Sequence, residues 1–352
     1  MLKTLNSRFV SETFQVPIFN LLADLRDEKY PDLADAATLE ELRCWVKHKC
    51  FTRALKKTAR NIMTSRMVAK WKQVKSKSKD ELTWIIRMRM ALRGFQDLDK
   101  DDLDTYAGTA KRLSQRIVAS EWACHPGWTA CAFDVMKAFL QGLTYEEMAE
   151  LTGGPVREVH FTLPKGAARI LRMIPGYEDF DEVTECLRCT KPGTGTVEAP
   201  RAFSLKLRGI TQGPDCAMKP TLHDEELEMK HDPDSSGGKP ILRMMSMKHV
   251  DDVKVLGEPA YVKKYKQIVE SHFGECVENV TEFTCVGIHH VFSDDGVALD
   301  QTEYIGSLKP VKHHKMIGLP ADAEGDDELA GLYASLLGAL AFALMTQHWA
   351  AV

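Results

Sequence analysis

Two short stretches decide the predicted fold: FDVMKAFLQG at residues 133–142 and HVDDVKVLG at residues 249–257. In each, an apolar strand pattern runs up to aspartate, at Asp134 in the first and at Asp251 and Asp252 in the second. Carboxylates gathered at the tips of buried strands are costly unless cations neutralise them. Hard, oxygen-ligated divalent ions such as Mg²⁺ suit that role, so the three aspartates are candidate metal ligands. Paired aspartates at a hairpin are also common turn chemistry, and the neighbouring sequence has to discriminate.

Outward from these stretches, helical and strand patterns alternate without an internal repeat. Apolar runs on both sides of KSKSKDE (residues 75–81) predict a long basic hairpin over residues 61–95. Helical spacing over 104–123 predicts a helix capped by Asp104 or Thr105. The apolar run at 328–345 predicts a helix that is buried or paired. Helices mixed with antiparallel strands indicate an α+β fold.

Charge is distributed unevenly along the chain. The net charge is −4, yet residues 43–93 hold sixteen Lys and Arg against only Asp80 and Glu81. A basic block of this size is typical of a surface that binds a polyanion, because each neutralised phosphate releases counterions. A solvated basic face is the alternative. Aromatic residues interleaved through the block favour a folded surface over a disordered tail.

Composition excludes several classes. The 352 residues are 44% hydrophobic and 27% charged, which is ordinary for a globular protein of two or three subdomains. The sequence contains no run of eighteen apolar residues, which a membrane span would need, and the N-terminus lacks a secretory signal pattern. Nine cysteines are too sparse for a disulfide scaffold, so free thiols in a reducing, intracellular and cytoplasmic setting are expected.

Seven sequence blocks, in order over roughly residues 45–345, resemble the reverse transcriptase domain of copia-type long-terminal-repeat retrotransposons. FDVMKAFLQG is similar to D-V-K-x-A-F-L-x-G, and HVDDVKVLG is similar to the Y-V-D-D-I hairpin. EAPRAFSLKL resembles Q-A-P-R-A-W-Y. The remaining four blocks are SRMVAKWK, RMRMALRGFQD, FTCVGIHHVFSDDGVALDQTEYI and YASLLGALAFAL.

The resemblance implies catalytic and metal-binding roles. Asp134, Asp251 and Asp252 become the catalytic triad, and Asp134 with Asp251 are the expected principal ligands. The Val135 carbonyl is a further expected ligand. Two Mg²⁺ ions, replaceable by Mn²⁺, lower the charge on an attacking hydroxyl and stabilise the leaving pyrophosphate oxygen.

It also implies contacts to nucleotide and nucleic acid. Phe139 corresponds to the aromatic residue under the incoming sugar, where its ring disfavours a ribose 2′-hydroxyl, although a core aromatic is the alternative. Arg87 and Arg89 are expected to grip the triphosphate, and Glu198 and Pro200 to lie beside the nucleotide. The cations expected to follow the template backbone are Lys70, Lys72, Lys75, Lys77, Lys79 and Arg93.

Three departures from the family pattern bear on activity. His249 replaces the usual Tyr, Glu198 replaces the usual Gln, and GTGT at 193–196 weakens the usual Y-G-L segment. A carboxylate near an incoming triphosphate adds repulsion unless a cation such as Arg201 compensates it.

Other motifs are weaker. Cys186 and Cys189 form a single CxxC without the second pair that a zinc site needs. The glycine-rich segment 193–196 lacks P-loop spacing and is interpreted as a turn. The acidic run 223–232 is interpreted as a solvated helix face.

These observations predict a right-hand polymerase in which an antiparallel palm sheet packs on helices. A lead-in at 1–44 precedes mainly basic fingers at 45–125, a palm at 126–300, and the start of a thumb or connection at 301–352 that ends before an RNase H segment. The expected reaction is RNA-directed DNA synthesis, with deoxynucleotide triphosphates and an RNA or DNA template-primer duplex as partners. The resemblance also implies RNase H and integrase parts of the same polyprotein as partners. It implies virus-like particles as a location. A catalytically inactive nucleic-acid-binding protein is the alternative, and an acidic structural scaffold is a third reading.

Overall fold

The computed structural model describes residues 31–75, 82–293, 296–310, 313–317 and 326–343. The helices in this part of the chain are α1 (Pro31–Lys47), α2 (Arg112–Cys124), α3 (Tyr145–Thr152), α4 (Ala167–Leu171), α5 (Ala199–Gln212), α6 (Pro259–Phe273), α7 (Thr302–Ser307) and α8 (Asp327–Ala343).

Fourteen strands accompany these helices in the described residues. They are β1 (Phe51–Leu55), β2 (Ile62–Lys75), β3 (Leu82–Leu92), β4 (Thr129–Val135), β5 (His160–Thr162), β6 (Glu185–Cys189), β7 (Lys219–Pro220), β8 (Leu227–Asp232), β9 (Ile241–His249), β10 (Asp252–Gly257), β11 (Cys276–Val280), β12 (Glu282–Cys285), β13 (Ile288–Ser293) and β14 (Gly296–Asp300). The fold is mixed α/β with mainly antiparallel sheets, which confirms that part of the prediction.

The chain forms two compact units, and each contains two separate segments. The first unit comprises residues 1–105 and 139–202, and the second comprises 106–138 and 203–352. The division into fingers at 45–125 and palm at 126–300 stays a prediction. Strands distant in sequence share one sheet in the first unit, because β5 and β6 join β1 and β2 although about a hundred residues separate them.

The first unit is built on a five-stranded sheet of order β1-β6-β5-β2-β3. The predicted basic hairpin is confirmed as β2 and β3, which pair from Ser65↔Leu92 to Lys75↔Leu82. Its turn, residues 76–81, lies outside the described residues. Aromatic and aliphatic side chains form the core of this unit, including Leu42, Trp45, Phe51, Phe161 and Leu187.

The second unit contains a six-stranded sheet of order β11-β4-β10-β9-β8-β7 and a three-stranded sheet of order β12-β13-β14. Helix α6 lies against one face of the larger sheet, where the Tyr265 ring stacks on Phe133 and its hydroxyl is 3.0 Å from the Ser246 hydroxyl. Apolar residues of α2, β9, β10 and β12–β13 form one core cluster, including Val118, Met245, Met247, Leu256 and Phe283.

Helix α2 begins later than the sequence predicted. The predicted caps Asp104 and Thr105 are wrong, because the helix starts at Arg112. The residues before Arg112 are not helical, and the backbone N–H of Ala110 donates to the Lys248 carbonyl oxygen. Asp224 serves the helix start from a distant loop: its carboxylate accepts the Lys111 backbone N–H at 2.8 Å and the Ser114 hydroxyl.

Two further expectations are corrected. The run 223–232 is not a solvated helix: its residues 227–232 form β8, and Glu226 and Glu228 in it are buried. The segment at 328–345 is helical over α8, where Leu332, Tyr333 and Leu337 are exposed, so the pairing of this helix stays a prediction. Contacts near the end of α8 come from Tyr304, which stacks edge-on against Phe342. Within the described residues, no helix combines the length and apolarity required to cross a bilayer.

Candidate catalytic carboxylate site

The predicted aspartates converge on the centre of the six-stranded sheet. Strand β10 pairs with both β4 and β9, and Asp252 lies directly opposite Asp134 across the β10–β4 ladder. Directly opposed residues of an antiparallel pair point to the same face, with Cβ atoms about 5 Å apart. Most neighbours in both strands are buried, whereas Asp134 and Asp252 are exposed near the strand ends.

Asp251 occupies the tight turn that joins β9 to β10. His249 and Asp252 are opposed in the ladder, so Val250 and Asp251 form a two-residue hairpin loop. Val250 has a φ of 59°, which is unusual for a β-branched residue. Lys137, just beyond β4, has a φ of 56°. Backbone strain of this kind persists only where surrounding structure enforces it, and it concentrates at functional sites.

Burial and the neighbouring aspartates both affect the pKa of Asp252. The pKa of Asp252 is raised, first by desolvation and then by the negative charge of Asp251, with a smaller effect from Asp134. The backbone N–H of Val286 acts in the opposite direction and lowers the pKa. A cation bound between these carboxylates would relieve the repulsion.

A small cavity of about 150 Å³ lies beside the carboxylates, on the side of the β12–β13 hairpin. Backbone and side-chain atoms of β4, β10, β11 and β12 line it: Ala132, Phe133, Asp134, Asp252, Val253, Asn279, Thr284 and Cys285. Asp251 is not among the lining residues, so the structure associates Asp134 with Asp252 more closely than with Asp251.

The carboxylates of Asp134 and Asp252 are ligands of the kind that Mg²⁺ prefers. Mg²⁺ commonly takes one or two protein carboxylates and completes its shell with water and substrate phosphates. Asp134 and Asp252 supply two such carboxylates. No group of three or more His, Cys, Asp or Glu side chains in the described part of the chain is arranged to hold a metal ion, so the aspartates do not form a closed cage. The role of the Val135 carbonyl stays a prediction.

The β2–β3 hairpin of the first unit carries a basic face. Lys70 is directly opposite Arg87, and Val68 is opposite Arg89, so these cations share one face of the ladder. The opposite face is apolar and buried at Met88 and Met90. We define the basic hairpin face as Arg66, Lys70, Lys72, Arg87 and Arg89. None of these five forms an ion pair with a carboxylate among the described residues.

The remaining predicted contacts also belong to the first unit and stay predictions. Arg93 is exposed directly after β3, while Phe139 and Pro200 are half-buried. Lys75 ends β2, and Lys77 and Lys79 lie outside the described residues. The segment 193–196 is a turn, as predicted, and its Thr194 carbonyl accepts the Leu92 backbone N–H.

Sequence patterns did not identify the partner of Glu198. Its side chain is buried and forms an ion pair with Arg157, whose guanidinium also contacts Asp97 at 2.7 Å and Asp99 at 3.2 Å. Arg201, the predicted compensating cation, pairs with Asp104 at 2.8 Å instead. Burial raises the pKa of Glu198, and Arg157 partly opposes that effect. In the sequence, the only sign of this partner was a single arginine, Arg157, at the start of the stretch 157–161, where polar residues give way to apolar ones.

Two clusters of buried ionisable side chains in the second unit involve Lys248 and Lys254. Lys248 on β9 is 2.6 Å from Glu228 and 3.8 Å from Glu226. Lys254 on β10 contacts His290 at 3.1 Å. Burial lowers the pKa of Lys254 to about 8 and that of His290 to about 3, and mutual charge adds to the latter shift. In sequence, Lys254 lies between apolar residues of β10, a position typical of a buried polar group with a partner.

No protein-family model matches the chain, and no curated protein matches it. Telomerase from Candida albicans in complex with a TWJ fragment of telomeric RNA is a structural neighbour with 11% identity and a TM-score of 0.39, covering 86% of this chain and 57% of that chain. Apo telomerase from Candida tropicalis, truncated from its C-terminal domain, has 9% identity and a TM-score of 0.34, covering 76% and 60%. The chain thus spans about three fifths of either neighbour, and similarity at this level carries no argument about function.

Proposed function

We propose that this chain is a template-directed nucleotidyltransferase of the reverse transcriptase type. It would add deoxynucleotides to a primer 3′-hydroxyl on an RNA or DNA template. The observation that carries the proposal is the direct pairing of Asp134 with Asp252 at exposed strand tips, with Asp251 in the adjoining turn. These are the residues that the copia-type resemblance assigns to catalysis, and the local strand geometry supports their acting together.

Asp134, Asp251 and Asp252 would hold the divalent metals. Bound Mg²⁺ would supply charge neutralisation for the attacking primer hydroxyl and the departing pyrophosphate. The chain's own contribution is positional, since the strand ladder fixes Asp252 opposite Asp134. Fixed carboxylates require little reorganisation during reaction, which is how electrostatic catalysis lowers a barrier.

The basic hairpin face would bind phosphates. Its arginines, Arg87 and Arg89, offer guanidinium groups that pair with phosphate oxygens in two-point contacts. Lys70 and Lys72 would act as point charges along the template backbone. Within the described residues these cations are not engaged by carboxylates, so they are available to a polyanion.

Glu198 would lie near the nucleotide as a buried member of an ion pair. Because Arg157 compensates its charge, the Glu in place of the usual Gln does not leave an unpaired carboxylate in that segment. Phe139 would provide the aromatic surface under the sugar, and Pro200 the start of the adjoining helix.

A primer-extension assay on an RNA template tests the proposal. Wild-type protein with Mg²⁺ or Mn²⁺ is expected to extend the primer, and Asp251→Asn, which removes one ligand charge but keeps the side-chain shape, to lose most of that activity. Asp234→Asn is the matched control, since Asp234 makes only local turn contacts with Ser236 and Gly238. Equal extension by wild type and Asp251→Asn would reject the proposal.

One observation favours the second candidate, a nucleic-acid-binding protein without polymerase activity. The described residues contain no assembled three-ligand metal group, whereas the basic hairpin face is intact. In that case neither wild type nor Asp251→Asn would extend a primer, and both would bind duplex with the same steep salt dependence.

A further inference from the structure

A short segment, residues 108–110, lies against the end of β9 directly before the β9–β10 turn. The Ala110 N–H donates to the Lys248 carbonyl oxygen at 3.0 Å, and the Val250 N–H donates to the Gly108 carbonyl oxygen at 3.4 Å. The ladder between β8 and β9 stops before these residues of β9. The 108–110 segment therefore continues the sheet past the end of β8 and pairs with the start of the turn.

This pairing places the segment in line with the candidate catalytic carboxylates. Thr109 is opposite His249 in an isolated antiparallel bridge. His249 is in turn opposite Asp252, and Asp252 is opposite Asp134. Directly opposed residues point to the same face, so these four side chains form one row across the sheet. The segment thus belongs to the part of the sheet that presents the aspartates.

The buried side chain of Glu226 leaves no room beside Gly108. A Cβ atom at position 108 would lie 1.8 Å from Glu226 Oε1 and 2.2 Å from its Cδ. Glu226 is 2% exposed, and the Arg208 guanidinium of α5 lies 2.5 Å from its carboxylate. Since moving that carboxylate would break the ion pair, only glycine allows the segment to lie this close to β9.

A second buried ion pair holds the end of β9 on the opposite face of the sheet. The Nζ atom of Lys248 is 2.6 Å from Glu228, whose carboxylate also accepts the Thr211 hydroxyl at 3.1 Å and the Gln212 amide at 2.8 Å. The Lys248 backbone N–H donates to the Glu226 carbonyl oxygen at 2.9 Å. The residue is therefore tied to β8 and to the end of α5 through both its backbone and its side chain.

Stability alone does not explain the ion pair between Lys248 and Glu228. Both residues are buried, at 2% and 0% exposed, and an apolar pair of similar volume is commonly as stable as a buried ion pair. Buried ion pairs can still select one arrangement of the elements that they join. Here they join β8, β9 and α5, and Lys248 precedes Asp251 by only three residues.

We propose that Gly108, Lys248 and Glu228 are positioning residues that fix the end of β9, so that the β9–β10 turn holds the Asp251 carboxylate in a single place. The importance of Asp251 rests on the proposed function. The hydrogen bonds and ion pairs that carry the inference do not depend on catalysis.

Hydrogen exchange in the full-length chain tests the role of Gly108. In Gly108→Ala the added methyl group should separate the 108–110 segment from β9. We expect the Val250 and Ala110 amides to exchange about tenfold faster or more, relative to amides in the middle of β10. Gly209→Ala is the matched control, because a Cβ at Gly209 would meet nothing within 4 Å, and it should leave both amides unchanged. Exchange that stays unchanged in Gly108→Ala, or rises only in step with the middle of β10, would overturn the role of Gly108.

A neutral double variant tests the ion pair without leaving a buried charge. Lys248→Met combined with Glu228→Gln removes both charges, while the new amide can still accept hydrogen bonds from Thr211 and Gln212. The thermal unfolding midpoint should stay level or rise. The Val250 amide should nevertheless exchange about tenfold faster or more, relative to the middle of β10. Unchanged Val250 exchange, or an increase shared equally by the middle of β10, would show that the pair is only structural.

A kinetic measurement separates this inference from the proposed function. If wild type extends a primer, Gly108→Ala and the double variant should each lower kcat about tenfold and raise the half-saturating Mg²⁺ concentration, with little change in KM for deoxynucleotide, because a misplaced carboxylate affects the reacting geometry. Gly209→Ala should match wild type. An unchanged kcat and metal dependence in both variants would overturn the positioning role. If wild type does not extend a primer, the proposed function fails, and the exchange experiments still decide whether these residues position the turn.

Discussion

Arg157 is a single guanidinium set among three carboxylates in the first unit. It contacts Asp97, Asp99 and Glu198, and its side chain is largely buried. Burial acts to raise the pKa of Asp97, but hydrogen bonds from Arg157 and Asn61 outweigh it and the pKa is lowered. Removing the cation would therefore leave two buried carboxylates, Asp97 and Glu198, without compensation.

Arg157→Met should lower the free energy of unfolding by about 3–5 kcal/mol, because breaking a buried pair leaves uncompensated charge. Glu198→Gln should cost only about 1 kcal/mol, since Arg157 keeps its contacts to Asp97 and Asp99. Urea denaturation followed by circular dichroism measures both. Arg169→Met is the matched control, because Arg169 pairs with Asp35 at the surface. A loss in Arg157→Met no larger than that of Arg169→Met would contradict the account.

His290 gives the second unit a predictable pH dependence. Its pKa in the folded chain is lowered to about 3, first by burial and then by the charges of Lys254 and His289, while the Ile288 carbonyl opposes the shift. A group whose folded pKa is depressed contributes stability above its unfolded pKa and loses it as pH falls. Stability should therefore decrease from about pH 6.5 towards about pH 3, with a slope approaching 1.4 kcal/mol per pH unit.

The measurement is the unfolding free energy of wild type and His290→Phe between pH 7 and pH 4. Phenylalanine has no proton to bind, so the unfolding free energy of His290→Phe should fall less steeply than that of wild type as the pH decreases across this range. Parallel curves would show that His290 does not carry the pH dependence.

At the scale of elements, the basic hairpin face shows why pairing register matters. Lys70 and Arg87 come from different strands, and only the antiparallel register places them opposite each other. A shift of one residue would turn these cations towards the buried side that holds Met88 and Met90. The apolar face therefore fixes the direction in which the cations point.

Arg87→Ala and Lys70→Ala should each weaken duplex binding about equally for all sequences and reduce the slope of log K against log salt by about one. Fluorescence anisotropy with a labelled template-primer duplex at several salt concentrations measures this. Lys239→Ala, in the exposed loop between β8 and β9, is the control and should leave the slope unchanged. An unaltered slope in the hairpin variants would place the nucleic-acid contact elsewhere.

Element boundaries were less predictable than element types. Periodicity correctly indicated β2–β3, β9–β10 and α6. It failed at α2, where Asp224 supplies the acceptors that the local candidates Asp104 and Thr105 do not. The failure at β8 has a similar cause, because Glu228 is buried through its contact with Lys248 of the neighbouring strand. Long-range partners of this kind are not encoded in local spacing.

For the whole molecule, the order of segments along the chain explains what sequence reasoning missed. Each compact unit is assembled from two segments, so consecutive sequence blocks do not map onto single units. The positions of the three aspartates at strand ends and in the turn were predictable, because apolar runs flank them. Arg157, Lys254 and His290 were not, since each acquires its role from a partner more than thirty residues away.

The most direct test of the central claim is single-nucleotide addition to a primer under single-turnover conditions, comparing wild type, Asp134→Asn and Asp252→Asn in Mg²⁺. The account predicts that wild type incorporates the complementary deoxynucleotide, and that each substitution slows incorporation by about a hundredfold or more without abolishing duplex binding. Asp234→Asn should match wild type. Incorporation by Asp134→Asn and Asp252→Asn at the wild-type rate would show that the paired strand-tip carboxylates are not the catalytic centre.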